Sequence, residues 1–196
     1  TMARINYTVW SEVRSCPDCS GDVVFLNEAL DGDTKRVKQE FPCPHCGSTL
    51  TKRRLGILYE TVTDPAHEGS HRRVRREPVL INYSVRREKY EKAPDEHDLA
   101  VISKIEGLSL PARCPSDEIP YMHMTHQRQR LDTYGITHLH HFFLPRPAQA
   151  VASLWDKAET EIDRRRRCML LFFVEQAVWG MSVLNRYSPS HFSQVN

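Results

Sequence analysis

"RSCPDCSGDVVFLNEALDGDTKRVKQEFPCPHCGSTLTKRR", from Arg14 to Arg54, holds four of the chain's six cysteines in two matched pairs, Cys16/Cys19 and Cys43/Cys46. Each pair sits in a Cys-Pro-x-Cys frame with a glycine close behind, Gly21 or Gly47. Two residues between cysteines let a tight turn aim both sulfurs at one centre while backbone amides face the thiolates. Two such turns complete a tetrahedral zinc shell. One Cys-x2-Cys can instead be a redox dithiol, and four cysteines can make two disulfides. A redox motif normally occurs once, on a turn that opens a helix; here the prolines lie inside both turns and strand-like residues flank them. The duplicated spacing therefore points Cys16, Cys19, Cys43 and Cys46 at zinc. His45 reads as a bystander, because four sulfurs already fill the shell. Between the pairs, "DVVFLNEAL", "DGDTK" and "RVKQEFP" predict a hairpin with Asp31-Gly32 at its turn.

Beyond this stretch, 196 residues suffice for one domain or two small ones. Charged residues are 27% and apolar ones 40%, a soluble, globular composition, and the net charge of +2 gives no global basic field. The basic residues are bunched all the same, in "KRR" at 52–54, "HRRVRR" at 71–76, "RR" at 86–87 and "RRRR" at 164–167. Such runs are either solvated faces or phosphate contacts. No apolar stretch is long enough to span a membrane, and the first residues lack the regions of a signal peptide. Cysteines in metal spacing suit a reducing cytoplasm.

The expected fold is α+β, with a strand-rich N-terminal half that carries the zinc ribbon and a helical C-terminal half. Residues 1–63 alternate apolar and polar through "INYTVWSEV" and "LGILYETVT". Residues 64–94 form a basic connection ending in a long strand or hairpin arm, marked by Val79, Ile81, Tyr83 and Val85. Residues 95–196 turn helical. Leu99, Ile102, Ile105 and Leu108 predict one helix, with Asp95 as N-cap and Gly107 at its end. Ala148, Val151, Ala152, Trp155, Ala158 and Ile162 predict a second. A third, "CMLLFFVEQAVWGMSVLNRY", is apolar on most sides and is expected to be buried within something larger.

"RINYTVWSEVRSCPDCSGDVVF", "FPCPHCGSTLTKRRL", "PVLINYSVRREKYEK", "YGITHLHHFFLPR" and "LNRYSPSHFSQVN" together resemble the middle section of large bacterial and archaeal adenine-specific DNA methylases that carry a zinc ribbon. The resemblance runs from Arg4 to Asn196. It implies a fragment of a larger α/β methyltransferase, lying between a glycine-rich S-adenosylmethionine motif upstream and a catalytic D-P-P-[YF] motif downstream. Neither motif is in this chain, which has no G-x-G among its eight glycines and no Pro-Pro pair. No catalytic residue is therefore assigned, and the isolated chain is expected to be inactive. The implied cofactors are zinc and, in the intact parent, S-adenosylmethionine; the implied partners are DNA and the remainder of the polypeptide. Lys52, Arg53, Arg54, Arg72, Arg73, Arg75 and Arg76 are the candidate phosphate contacts, unless the ribbon only braces an insertion. "THLHHFFLPRP" resembles the methyltransferase element that lines the cofactor pocket, which would turn His141, Phe142 and Arg146 toward the cofactor.

Two readings from other classes compete. His138 and His140 share a face if they lie on a strand, and with His123 and His126 nearby they allow a small metal-dependent hydrolase, although no H-E-x-x-H helix accompanies them. The ribbon and its basic runs alone allow a free-standing nucleic-acid-binding adaptor. The over-apolar third helix argues against that adaptor, since an independent module buries its own surface.

Overall fold

Val9, Ser11 and Val13 are buried along one side of the strand β1 (Arg4–Ser15), at the period of two that a half-buried strand requires. This computed structural model describes residues 3–34, 36–111, 114–188 and 191–194. After β1 come β2 (Asp22–Val24), α1 (Phe25–Ala29), β3 (Phe41–Pro42), β4 (Thr49–Leu50), β5 (Gly56–Ile57), β6 (Tyr59–Thr63), β7 (Ser70–Val74), β8 (Arg76–Val85) and β9 (Glu88–Lys92). Then follow α2 (Glu96–Glu106), α3 (Leu131–Tyr134), α4 (Pro145–Glu159), α5 (Arg164–Met181), β10 (Arg186–Ser188) and β11 (His191–Gln194). The fold is thus α+β, strand-rich first and helical second. Contacts divide it into two compact units, Thr1–Glu60 with Arg72–Leu99 and Thr61–His71 with Ala100–Asn196. That grouping is nonlocal, whereas the sections expected from sequence run in chain order.

In the first unit β1 is the spine of a five-stranded sheet in the order β2-β1-β8-β9. β8 pairs antiparallel with β1 from Arg4 to Glu12, and β5 pairs with the end of β1 at Arg14 and Ser15. Ser15 therefore has Asp22 on one side and Gly56 on the other. A Cβ on Gly56 would stand 2.3 Å from Ser15 Oγ, so any larger residue there would require the serine hydroxyl to turn away. The expected hairpin arm is present as β8 and β9, turned at Arg86 with φ 58°.

The stretch between the cysteine pairs corrects the expected hairpin. After three paired residues the chain turns into the short helix α1, which puts Phe25 and Ala29 on one buried face. Ser11 Oγ on β1 accepts the amide of Leu26 at 2.9 Å, satisfying a first-turn N–H that the helix itself leaves unpaired. Asp31 closes the following turn by accepting from the amides of Asp33 and Thr34; Lys35, in the same expected turn, lies outside the described residues. Leu30 and Val37 keep a single antiparallel bridge.

In the second unit Ile119, Leu131 and Ile136 form one cluster with Tyr134, Phe142 and Val183. Val151 and Ala158 of α4 pack with Val174 of α5, joined by Trp155, Leu171 and Val178. Ala148 and Ala152 of the expected stripe are also buried, whereas Ile162 lies past the helix end and is exposed. α5 leaves most of its apolar surface open within this chain. Val174 is its buried residue, while Met169, Leu170, Phe172, Phe173 and Trp179 face outward. Packing on α4 covers one stripe of a helix whose apolar residues surround it, so the others stay open. α2 forms as read, but it buries none of its residues. Among the described residues no helix is long and apolar enough to cross a membrane.

Candidate metal centre

The two cysteine turns share one hydrogen-bond plan. Cys16 N donates to Gly21 O and Ser20 N to Cys16 O, each at 2.9 Å; Cys43 N donates to Ser48 O at 2.8 Å and Gly47 N to Cys43 O at 2.9 Å. The first turn leaves the end of β1 and re-enters the sheet at β2, and the second is closed by the β3–β4 pair. Each is therefore held by a ladder on both sides. Cys16 and Cys43 belong to the apolar cluster of Val23, Phe25, Ala29, Phe41, Leu50 and Leu55, while Cys19 and Cys46 are exposed. The Phe25 and Phe41 rings meet edge to face at 5.9 Å under the site.

All four sulfurs lie within 4.8 Å of one another. Between the turns, Cys16 Sγ is 3.9 Å from Cys46 Sγ and Cys19 Sγ is 3.8 Å from Cys43 Sγ. These separations exclude disulfides, whose sulfurs sit about 2 Å apart. They match the edge of a tetrahedron with zinc–sulfur bonds of about 2.3 Å, which is about 3.8 Å. The four-cysteine cluster can hold a metal ion, and zinc suits it.

Its electrostatics favour a cation. Burial pushes the Cys16 thiol up, but the amides of Cys19 and Asp18 and the neighbouring thiols outweigh it and bring the group to about 6. For Cys19 the Gly21 amide favours the thiolate, yet burial and the three other sulfurs raise it to about 12. The Ser48 hydroxyl and amide lower Cys46. One proton leaves this cluster easily and another is held hard, a difference that a bound dication removes. His45 is not a ligand: its Nε2 meets Asp22 O at 2.8 Å and its ring lies against Gly21. Cys114 and Cys168 stand outside the cluster, and Cys168 is exposed rather than on a buried helix.

The basic candidates are distributed differently. Lys52, Arg53 and Arg54 are exposed beyond the second cysteine turn. Lys52 Nζ stands over the Phe25 ring at 5.0 Å, and Arg54 donates to Thr49 O and reaches Asp18. Arg72 stacks over Tyr59 at 3.7 Å, Arg73 pairs with Glu60 at 2.6 Å, and Arg75 lies between Asp22 and Glu77. Arg76 donates to Val74 O. Of the three cofactor candidates, His141 is buried against Asp64, Phe142 packs on the Ile119 cluster, and Arg146 is exposed on the first turn of α4.

The histidine stretch is a single turn of 3-10 helix, Leu139–Phe142, rather than a strand. His123 and His126 lie on a separate π-helical turn, where His123 meets Gln127 and His126 meets Thr125. The partners of His140 and His141 come instead from Thr61–His71. Asp64 Oδ1 is 3.0 Å from His140 Nε2, and Asp64 Oδ2 is 2.9 Å from His141 Nε2. His67 and His71 complete the group, with Nδ1 atoms 3.7 and 3.8 Å from the same carboxylate. Burial raises the Asp64 acid, but His141 and the Ala66 amide reverse this and leave it well below the usual carboxylate range. Burial also holds both histidines neutral, pushing His140 down and His141 down to about 4. The sequence reading missed Asp64, His67 and His71. The spacing D-x2-H-x3-H was the signal available for them.

Compared with known proteins, the chain matches no family model, no curated protein and no solved structure.

Proposed function

We propose that this chain is the zinc-braced accessory section of an S-adenosylmethionine-dependent, adenine-specific DNA methyltransferase. It works in the cytoplasm, and its cofactor and catalytic motifs lie elsewhere in the polypeptide. The observation that carries the reading is the spacing of the four sulfurs, with cross-turn edges of 3.9 and 3.8 Å. A zinc there ties the end of β1 to the β3–β4 turn and stiffens the apolar cluster beneath it. The methylase part rests on the resemblance of the five quoted stretches. The open apolar side of α5, with Leu170, Phe172, Phe173 and Trp179, supports a covering partner, which we identify as the remainder of the methyltransferase polypeptide.

DNA contact belongs best to Lys52, Arg53 and Arg54, which follow the second cysteine turn and are exposed. Arg73 and Arg75 hold carboxylates at 2.6 and 2.7 Å, closer than the 3.3 Å reach of Arg54 to Asp18, which favours a bracing role for the 72–76 run. The test is the salt dependence of duplex binding, with zinc content and fold checked in parallel. Changing Lys52, Arg53 and Arg54 together to glutamine should reduce the slope of log K against log salt by up to about 0.9 per lost phosphate contact. An unchanged slope would remove DNA contact from this surface and leave the zinc brace alone.

A further inference from the structure

Four of the chain's ten histidines, His67, His71, His140 and His141, surround one carboxylate, Asp64, and His138 lies against the rings of three of them. The Asp64 side chain is 8% exposed, and those of His140 and His141 are 2% each. Stability alone does not explain this arrangement. Burying a carboxylate among imidazoles costs free energy that an apolar cluster of the same volume would not. We infer that Asp64, His67 and His140 form a second metal site, for a first-row divalent cation such as zinc, independent of the four cysteines.

Asp64, His67 and His140 each place a ligand atom within 4.8 Å of the other two. Oδ1 is 3.0 Å from His140 Nε2 and 3.7 Å from His67 Nδ1. With metal–ligand bonds of about 2.0–2.1 Å a tetrahedron has edges of about 3.3 Å, so these atoms are already close to ligand separation. The His67 and His140 rings are 5.3 Å apart and inclined at 49°, not stacked. The other half of the cluster differs. His71 and His141, which with Asp64 also bring ligand atoms within 4.8 Å, stack nearly parallel at 3.9 Å and 14°, a poorer arrangement for aiming two ring lone pairs at one ion.

His141 instead serves as an outer partner. The Thr137 amide donates to its Nδ1 at 3.3 Å, which places the proton on Nε2, facing Asp64 Oδ2. Such a hydrogen bond orients a ligating carboxylate. The amides of Ala66 and His67 also donate to Oδ1, at 2.8 and 3.0 Å, and fix the loop that carries His67. A metal held by His140 Nε2 would require that ring's proton on Nδ1, which is buried without a partner among the described residues. Two histidines and one carboxylate leave at least one coordination position, and with His67 43% exposed that position opens to water.

Cobalt(II) loading of the chain tests this, because the two sites have different spectra. The expected result is two equivalents bound: one with strong thiolate-to-cobalt charge transfer, and a second that adds only the weaker bands of nitrogen and oxygen ligands. His67→Ala changes an exposed side chain and should reduce the count to one with the charge-transfer band intact. Asp64→Asn should do the same, and Cys43→Ser should remove the charge transfer while the second equivalent remains. One equivalent in the unmodified chain, or two in His67→Ala, would overturn the site and leave a histidine–carboxylate packing hub.

Discussion

Ser20 and Gly47 occupy the same place in the two cysteine turns, each four residues after the first cysteine and each left-handed, with φ of 59° and 74°. Their amides donate to the carbonyls of Cys16 and Cys43 at the same distance, 2.9 Å. Only one of the two turns has the residue suited to that backbone. An L side chain in this region costs about 1–2 kcal/mol, and the greater chain entropy of glycine returns about half of it. Ser20→Gly should therefore stabilise the zinc-loaded chain by about 0.5 kcal/mol, and Gly47→Ala should destabilise it by about 1 kcal/mol or more. Denaturant unfolding at fixed zinc reads both; a destabilised Ser20→Gly would show that the serine side chain contributes something the conformation does not explain.

Cys43→Ser should lose the sulfur-bound metal and destabilise the first unit, whereas Cys114→Ser and Cys168→Ser should retain it. The loss is large because structural zinc supplies about 10–16 kcal/mol of apparent binding free energy. Elemental analysis with thermal unfolding measures it. Full sulfur-site occupancy in Cys43→Ser would refute the four-sulfur shell.

The bond from Leu26 N to Ser11 Oγ makes β1 the cap of α1. Ser11 is 1% exposed, so Ser11→Ala leaves the part-buried Leu26 amide without its acceptor. The expected cost is about 1–3 kcal/mol. A change within about 0.3 kcal/mol, far below that of an unmet buried donor, would mean that α1 finds another cap.

Asp95 caps α2 reciprocally: Asp98 N donates to Asp95 Oδ1 at 2.9 Å and Asp95 N to Asp98 Oδ2 at 3.0 Å. Asp95→Ala should fray the first turn of α2 and lower its helix content. The Lys92 ammonium and the Asp98 amide hold the Asp95 acid down to about 2, against an ordinary 3.8. A lowered acid stabilises the fold above its unfolded value and loses that contribution as pH falls, so the gap between wild type and Asp95→Ala should narrow from about pH 4 to pH 2. A pH-independent gap, read by helix-sensitive circular dichroism, would assign the cap to the backbone alone.

Features governed by short spacing were legible in the residues alone. Cys-x2-Cys written twice makes a metal turn twice because its hydrogen bonds close within five residues; alternation in β1 and β8 and the Asp95 cap are local in the same way. Long-range packing settled the rest. α1 replaces a hairpin arm because Ser11, fifteen residues earlier, supplies a cap that no local propensity contains. The histidines of the 138–141 turn acquire meaning only from Asp64, seventy-six residues before His140, which the fold brings to 3.0 Å. Apolarity in α5 announced a demand for burial without naming a partner: hydrophobic attraction has no direction, and the one stripe that α4 covers leaves Phe172 and Phe173 open.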